Sequence, residues 1–299
     1  MTLLAPSARV LMSSILSPPT GMRLDRAIAT TYSLDLETLL PIPVTMALSD
    51  TADPDEVRQN PVALLQAIEE TAGRFAVFAQ EGGIKAGNQV PQLCSLLEDC
   101  VHEVRAPNGG AFHAKVWLLR FKASKRTDRG NKGQTLLRLA VMSRNLTDDR
   151  SWDISLAIDG EVGEEPRQDN ADVAQFVRRL PSMTTGDGRK RDLSWLGQLA
   201  EDAERAQWET PPGFHRVRFK HFGLGGPTWR MPRGDALVAI SPFVSDRALR
   251  DLKERGHDAV HLVSRSQELA ELSDNSLEGL ASCKVLESAA QSDDGEEIP

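Results

Sequence analysis

Short, continuous apolar runs are the feature of this chain that most restricts its fold. They occupy residues 75–79, 116–121, 136–142 and 154–158, and each is bounded by glycine, charged or polar residues. Runs of this length and continuity are typical of strands that are covered on both faces of a sheet. Because helices usually provide that cover, the pattern predicts an α/β protein.

Helical patterns alternate with these runs. Asn60 and Pro61 predict a helix start, with an N-cap followed by proline in the first turn, and Gly73 predicts its end. Other helices are predicted at residues 92–104, 171–180, 193–207 and 246–255. Further strands are predicted at residues 27–33, 214–222, 236–240, 259–263 and 284–286.

A glycine-rich stretch divides the chain unequally. The sequence GLGGP at residues 223–227 is a boundary signal, and a new strand-helix-strand pattern begins after it. We therefore predict a first unit at residues 1–230 and the start of a second α/β unit at residues 231–299.

Charge, cysteine content and hydropathy exclude several classes of protein. A net charge of -8 argues against a protein that coats nucleic acid over its whole surface. No stretch approaches the roughly 18 apolar residues of a spanning helix. The N-terminus lacks a basic leader region, and Arg9 interrupts its apolar run. Three dispersed cysteines suit a reducing compartment, so we expect a cytoplasmic protein without a membrane span.

Four polar residues at the ends of two apolar runs form the most informative pattern. His113 and Lys115 are two residues apart, and so are Ser143 and Asn145. Residues two apart in a strand project from the same face. If the two strands are neighbours, the four side chains converge on one spot.

This combination of groups suits a phosphodiester. An imidazole can attack phosphorus or move a proton, and an ammonium and an amide can stabilise charge on the non-bridging oxygens. The chemistry requires no cofactor and no metal ion.

The pattern resembles the phospholipase D superfamily, whose motif is H-x-K followed by G-S-x-N. His113, Lys115, Ser143 and Asn145 match it. The motif's aspartate would fall at Arg120, and Met142 replaces its glycine. The missing aspartate and the long insertion between the two parts are more similar to the tyrosyl-DNA phosphodiesterase branch.

The resemblance implies a fold and a role for each residue. The expected fold is a phospholipase D-like mixed sheet flanked by helices, with one complete half and the beginning of a second. His113 would be the nucleophile that forms a phosphohistidine, Lys115 and Asn145 the phosphate clamp, and Ser143 a supporting donor. Asp153 is a candidate to hold the imidazole, although capping or a surface position fits it as well.

A basic stretch joins the two motif strands and indicates a polyanionic substrate. Beside a phosphate-type site, its cations would steer nucleic acid, whereas a solvated loop is the alternative interpretation. The substrate-binding candidates are Lys122, Lys125, Arg126, Arg129 and Lys132, with Arg120 and Arg138 at the ends of the stretch. A second basic set, Arg216, Arg218 and Lys220, is interpreted as an exposed strand face.

Members of the superfamily use two H-x-K motifs, and this chain contains one. A missing C-terminal half or a second copy in a homodimer would supply the other histidine. We expect a nuclease-type hydrolase that binds DNA or RNA. The alternatives are a phospholipid head-group hydrolase or transferase, and a catalytically incomplete nucleic-acid-binding module.

Overall fold

Seven strands form one mixed sheet in the first of two units of the computed structural model, in the order β5-β3-β1-β6-β7-β8-β9. The structure describes residues 11–50, 59–85, 92–123, 134–149, 153–185, 192–224, 233–254 and 257–286. The units are Met1–Thr228 and Trp229–Pro299. Strands of the first unit are β1 (Met22–Thr31), β2 (Leu34–Asp35), β3 (Phe75–Gln80), β4 (Ile84–Lys85), β5 (Val101–Val104), β6 (Val116–Ala123), β7 (Thr135–Met142), β8 (Ser155–Val162) and β9 (Ala206–Trp208). β2 and β4 pair separately.

The directions of the strands bring several strand ends to one edge of this sheet. β1 is parallel to β3, and β3 is parallel to β5. β6 is antiparallel to β1 and to β7, and β7 is antiparallel to β8. The carboxyl ends of β1, β3, β5 and β7 therefore meet the amino ends of β6 and β8. We call this edge the site edge.

The sheet is covered on both faces, as the apolar runs predicted. Along β6, Trp117, Leu119 and Phe121 belong to one buried cluster, whereas Leu118 belongs to the other. Strands with both faces buried lose the polar alternation of half-exposed strands. The predicted class, a mixed sheet flanked by helices, is therefore confirmed.

Helices and shorter turns supply the two outer layers. The α-helices of the first unit are α1 (Met12–Leu16), α2 (Leu36–Leu39), α3 (Pro41–Asp50), α4 (Pro61–Ala72), α5 (Ala171–Met183) and α6 (Trp195–Arg205). The 3-10 helices are Gln92–Cys100, Pro107–Gly109 and Gln168–Asn170. Leu16 and Met46 pack on one face of the sheet, and Val177 and Leu199 pack on the other.

Local signals located α4 correctly. The Asn60 side chain accepts hydrogen bonds from the backbone N–H groups of Val62 and Ala63, and Gly73 forms the C-cap. Both features were predicted from the residue types at these positions.

Two predicted elements are wrong. Residues 92–104 do not form one helix, because the 3-10 helix ends at Cys100 and Val101–Val104 pairs with β3. Residues 214–222 do not form a strand. Arg216 instead pairs with Asp169, and Lys220 with Asp172 at the start of α5. These ion pairs replace the expected exposed basic strand face.

The second unit contains a parallel three-stranded sheet of its own, in the order β10-β11-β12. Its elements are β10 (Ala236–Ile240), α7 (Asp246–Lys253), β11 (Ala259–Ser264), α8 (Ser266–Glu271), α9 (Asp274–Leu277) and β12 (Ser282–Val285). Ser245 caps α7 by accepting a hydrogen bond from the Ala248 N–H. Across the described parts of both units, the helices are all too short or too polar to span a bilayer.

Candidate functional site

The four motif residues lie together at the site edge, just outside the two strands that were expected to contain them. His113 and Lys115 precede β6, and Ser143 and Asn145 follow β7. The two strands are antiparallel neighbours, which confirms the expected pairing. The backbone N–H of Met142 donates to the Lys115 carbonyl at 2.9 Å, so the ladder continues into the motif.

His113 and Lys115 are in direct side-chain contact. Lys115 Nζ lies 3.2 Å from Nδ1 and 3.2 Å from Nε2 of the imidazole, and it donates to the His113 carbonyl at 3.4 Å. Lys115 is only 9% exposed. A lysine charge in so little water is electrostatically stronger than one on the open surface. The pair therefore places a fixed cation beside a potential nucleophile.

The same environment sets the protonation of His113. Partial burial, followed by the nearby Lys115 ammonium, holds the pKa of His113 below its ordinary value of 6.5. A neutral imidazole has an unprotonated ring nitrogen that can attack an electrophile, whereas an imidazolium has none. His113 is therefore suited to nucleophilic attack near neutral pH.

The Asn145 amide is oriented by the end of β1. Its Oδ1 accepts a hydrogen bond from the Tyr32 N–H at 3.2 Å and lies 3.4 Å from the Thr31 hydroxyl. The buried Thr31 hydroxyl also accepts from the Leu146 N–H at 3.0 Å. Because Oδ1 is engaged in this way, the Nδ2 donors remain for another acceptor.

Tyr32 is a site residue that no sequence motif identifies. Its ring centroid lies 5.2 Å from that of His113, and the residue is 38% exposed. Through its ring and its backbone N–H, Tyr32 contacts both halves of the motif. The only sequence signal is its place at the end of the predicted strand 27–33, which says nothing about its neighbours.

Ser143 follows β7, Asp153 precedes β8, and the two residues are joined by hydrogen bonds. Asp153 Oδ1 accepts hydrogen bonds from the Ser143 hydroxyl at 2.6 Å, the Ser143 N–H at 2.8 Å and the Arg144 N–H at 3.1 Å. The Ser143 hydroxyl in turn accepts from the Ile154 N–H at 2.9 Å. These contacts engage Ser143 within the protein, and they connect Asp153 to the turn that carries Asn145.

Arg120, where the resembling motif has aspartate, occupies a structural position. It is 5% exposed, and its guanidinium contacts Asp25 at 2.6 Å and Asp202 at 3.0 Å. Burial would raise the pKa of Asp25, but Arg120 and Lys122 together hold it below its usual value. The guanidinium of Arg120, in β6, therefore links Asp25 of β1 to Asp202 of α6.

The structure also locates part of the predicted basic loop. Lys122 lies in β6 rather than in a loop, 3.3 Å from Asp25, whereas Arg138 lies in a strand as predicted and pairs with Asp159 at 2.7 Å. The other predicted substrate-binding cations lie outside the described residues: Lys125, Arg126, Arg129 and Lys132.

Two cavities open next to the motif residues. The larger, of about 430 Å³, is bordered by His113 and by apolar side chains that include Phe112, Phe176 and Phe219. The smaller, of about 320 Å³, is bordered by Asn145 and Asp153. Within the described ranges, no cluster of three or more histidine, cysteine or carboxylate side chains could hold a metal ion.

Comparison with known proteins yields structural neighbours alone. No protein-family model matches the chain, and no curated protein matches it in sequence. One similar structure is a mutant of yeast tyrosyl-DNA phosphodiesterase, with a TM-score of 0.39 and 11% identity over 66% of this chain. Another is polyphosphate kinase from Porphyromonas gingivalis, with a TM-score of 0.36 and 14% identity over 91% of this chain. This chain spans 37% of the length of each.

Proposed function

We propose that this chain is a phospholipase D-like phosphodiesterase that works through a phosphohistidine and acts on nucleic acid. The observation that carries the proposal is the 3.2 Å contact between Lys115 Nζ and the imidazole of His113, whose pKa is lowered. A neutral nucleophile and a fixed cation on one short segment match the needs of attack at an anionic phosphorus.

Each side chain has a separate role in the proposed reaction. The unprotonated nitrogen of His113 attacks phosphorus, and a P–N bond forms as the bond from phosphorus to one ester oxygen breaks. The departing oxygen takes up a proton to become an alcohol. Lys115 and the Nδ2 donors of Asn145 stabilise the negative charge on the non-bridging oxygens.

Hydrolysis of the intermediate restores the enzyme. Water attacks phosphorus, the P–N bond breaks, and a proton of that water is released. The products are one alcohol and one phosphate monoester, and the imidazole is neutral again. A second histidine would assist both proton transfers, and a second copy of the chain is the proposed source.

Nucleic acid is the proposed substrate because of the basic stretch between the motif strands. Arg120, Lys122 and Arg138 have carboxylate partners, so the steering charge would come from the cations at residues 125–132. β6 ends at Ala123 and β7 begins at Thr135, at the edge opposite to the site edge, so these cations would attract a long polyanion through phosphates at a distance from the reacting one. Such attraction raises the association rate of a polyanion, and the effect decreases with salt.

Hydrolysis assays with matched histidine variants test the proposal. We expect the intact chain to cleave bis(p-nitrophenyl) phosphate and a labelled oligonucleotide in the presence of EDTA. His113→Asn removes the nucleophile and should abolish cleavage, whereas His215→Asn alters an exposed histidine that does not border the cavity at His113. Equal rates for His113→Asn and the unmodified chain would overturn the assignment.

The intermediate and the substrate class require separate measurements. Quenching with alkali or detergent during turnover of a phosphorus-labelled substrate should trap a protein-bound label that is stable in alkali and labile in acid, and His113→Asn should not acquire it. Parallel assays on DNA, RNA and phosphatidylcholine vesicles determine the substrate class. Cleavage of the vesicles alone would contradict the nucleic-acid proposal while leaving the phosphodiesterase chemistry intact.

A further inference from the structure

The main chain at His113 is not held by strand pairing on the side of β1. Residues 111–115 belong to neither a helix nor a strand, and β6 begins at Val116. The pairing of β1 with β6 ends where Ala29 lies opposite Trp117. The position of His113 therefore depends on other contacts.

The side chain of Gln80 makes one of these contacts, at the residue before His113. Gln80 is the last residue of β3, at the site edge, and its Oε1 accepts a hydrogen bond from the Phe112 N–H at 2.6 Å. The Nε2 group of the same amide donates to the Glu81 carbonyl at 3.4 Å, so both ends of the amide have partners. A half-buried side chain thus supplies the acceptor that a neighbouring strand would otherwise provide.

Thr30 makes the second contact, three residues after His113. The register of β1 and β6, continued by one residue, places Thr30 opposite Val116. The Thr30 hydroxyl accepts a hydrogen bond from the Val116 N–H at 2.9 Å and donates to the Val116 carbonyl at 3.4 Å. Because Thr30 is 1% exposed, water cannot easily replace these hydrogen bonds if the hydroxyl is removed.

On the side of β7, the segment is held at Lys115. The Lys115 carbonyl accepts a hydrogen bond from the Met142 N–H at 2.9 Å, and the Lys115 ammonium lies 3.2 Å from the imidazole of His113. Contacts at residues 112, 115 and 116 therefore enclose His113. Since a misplacement of about 1 Å can reduce the rate of an enzyme by about 10², these contacts matter for a nucleophile.

We propose that Gln80 and Thr30 are positioning residues, which fix the main chain on both sides of His113 and so align its imidazole with Lys115. The inference rests on the proposed function, in which His113 is the nucleophile. Neither side chain needs to touch the substrate. Their role is to limit the movement of residues 112–116, so that the ring nitrogen and the ammonium keep their separation while phosphorus is attacked.

Two matched pairs of variants remove single contacts. Gln80→Met removes the acceptor of the Phe112 N–H and retains the length of the side chain. Gln198→Met is its control, because Gln198 in α6 also loses one hydrogen bond, to Asp202, and borders neither cavity. Thr30→Val removes the hydroxyl and retains the shape, whereas Thr30→Ser retains the hydroxyl. Circular dichroism and urea denaturation identify conditions in which every variant is folded.

NMR titration of His113 tests the positioning without any need for turnover. Burial and the Lys115 ammonium hold the pKa of His113 below 6.5 in the intact chain. If the segment loosens, water reaches the imidazole and the ammonium no longer stays beside it, so the pKa should rise toward 6.5. We expect this rise in Gln80→Met and Thr30→Val, and an unchanged pKa in Thr30→Ser and Gln198→Met.

Kinetics on bis(p-nitrophenyl) phosphate provide the second readout. We expect Gln80→Met and Thr30→Val to lower kcat by about tenfold or more, with a change in KM of about threefold or less. The reason is that Lys115 remains paired with Met142 and still binds phosphate, whereas the nucleophile is less well aligned. Thr30→Ser should retain most of the activity, and Gln198→Met all of it.

The outcomes separate this inference from the proposed function. An unchanged pKa of His113 in folded Gln80→Met and Thr30→Val would overturn the positioning role, whether or not the intact chain hydrolyses phosphodiesters. Equal losses of kcat in Gln80→Met and Gln198→Met would also overturn it, because a general loss of stability would then explain both. The expected pattern of pKa values, together with an intact chain that does not hydrolyse, would support the positioning role and contradict the catalytic proposal.

Discussion

The ring of Tyr32 lies 5.2 Å from the imidazole of His113, although the two residues are far apart in sequence. The contact exists because β1 and β6 are antiparallel neighbours, so the end of β1 meets the start of β6. Tyr32 also donates its backbone N–H to Asn145. One residue therefore covers the proposed nucleophile and orients the proposed phosphate clamp.

Removal of the Tyr32 ring should raise the pKa of His113. Burial is the larger cause of the lowered pKa, and Tyr32→Ala would expose the imidazole to water. Tyr32→Phe keeps the ring and should keep the pKa. Titration of the His113 ring protons by NMR measures the pKa in both variants.

The two Tyr32 variants also separate two roles. If the ring acts by position alone, Tyr32→Phe retains hydrolysis and Tyr32→Ala loses much of it. An unchanged His113 pKa in Tyr32→Ala would show that the ring does not desolvate the imidazole. Loss of activity in Tyr32→Phe, with the pKa preserved, would assign a chemical role to the hydroxyl.

Replacement of Lys115 should change both the rate and the pH profile. Lys115→Met removes the cation from a nearly buried position while it roughly keeps the volume of the side chain. Loss of one charge-stabilising donor typically costs about 10²–10³ in kcat. The pKa of His113 should also rise, because Lys115 is the second cause that lowers it.

The sign of the pH effect follows from the protonation of the nucleophile. His113 acts when neutral, so activity rises with pH through its pKa, and the acid limb of the unmodified chain lies below pH 6.5. In Lys115→Met this limb should move to higher pH. As a matched variant, Lys122→Met removes a cation near the far end of β6, the strand that Lys115 precedes. It should leave the acid limb of the pH profile in place. A limb that moves equally in both variants would contradict the assignment.

The strands and the motif can be predicted from local patterns, because both depend on residues that are neighbours in the sequence. The apolar runs of β6 and β7 predict two neighbouring buried strands, and the two-residue spacings bring His113 and Lys115 into contact. The start of α4 likewise depends on Asn60 and Pro61 alone.

Contacts between distant segments explain what the sequence does not predict. Arg120 binds Asp25 and Asp202, which are 95 and 82 residues away, and no local pattern relates them. Strand β5 follows a 3-10 helix without a break and is a strand because β3 lies beside it. Pairing with a neighbouring strand here outweighs the helical periodicity of residues 92–104.

Asp153 should contribute to stability through the turn that carries Asn145. Asp153→Ala leaves the Ser143 hydroxyl and two backbone N–H groups without their common acceptor, and because these groups are exposed to water the free energy of unfolding should fall by about 1 kcal/mol. Glu161→Ala in β8 alters an exposed residue whose Oε1 accepts a hydrogen bond from the Gln134 side chain at 3.0 Å, and should cost about 0.5 kcal/mol or less. Urea denaturation at pH 7 compares the two, and equal losses would contradict a special role for Asp153.

Arg120 should be essential for stability rather than for phosphate binding. Arg120→Met leaves Asp25 and Asp202 buried without their shared cation, and such a change typically costs about 3–5 kcal/mol. Lys122→Met removes a half-exposed partner of Asp25 and should cost about 1 kcal/mol or less. Urea denaturation of both variants tests this difference, and methyl phosphate binding should be unchanged in Arg120→Met at temperatures where it is folded.

The loss of stability in Arg120→Met should depend on pH, because Asp25 and Asp202 then lack their shared cation. In the intact chain the pKa of Asp25 is below 3.8, so its ion pairs stabilise the fold above that pH and are lost as the pH falls through the folded-state pKa. Without Arg120, burial raises the pKa of Asp25, and the cost of ionising it grows as the pH rises. Arg120→Met should therefore be more destabilised, relative to the unmodified chain, at pH 7 than at pH 4. An equal loss at both values would assign the role of Arg120 to packing of its side chain instead of its charge.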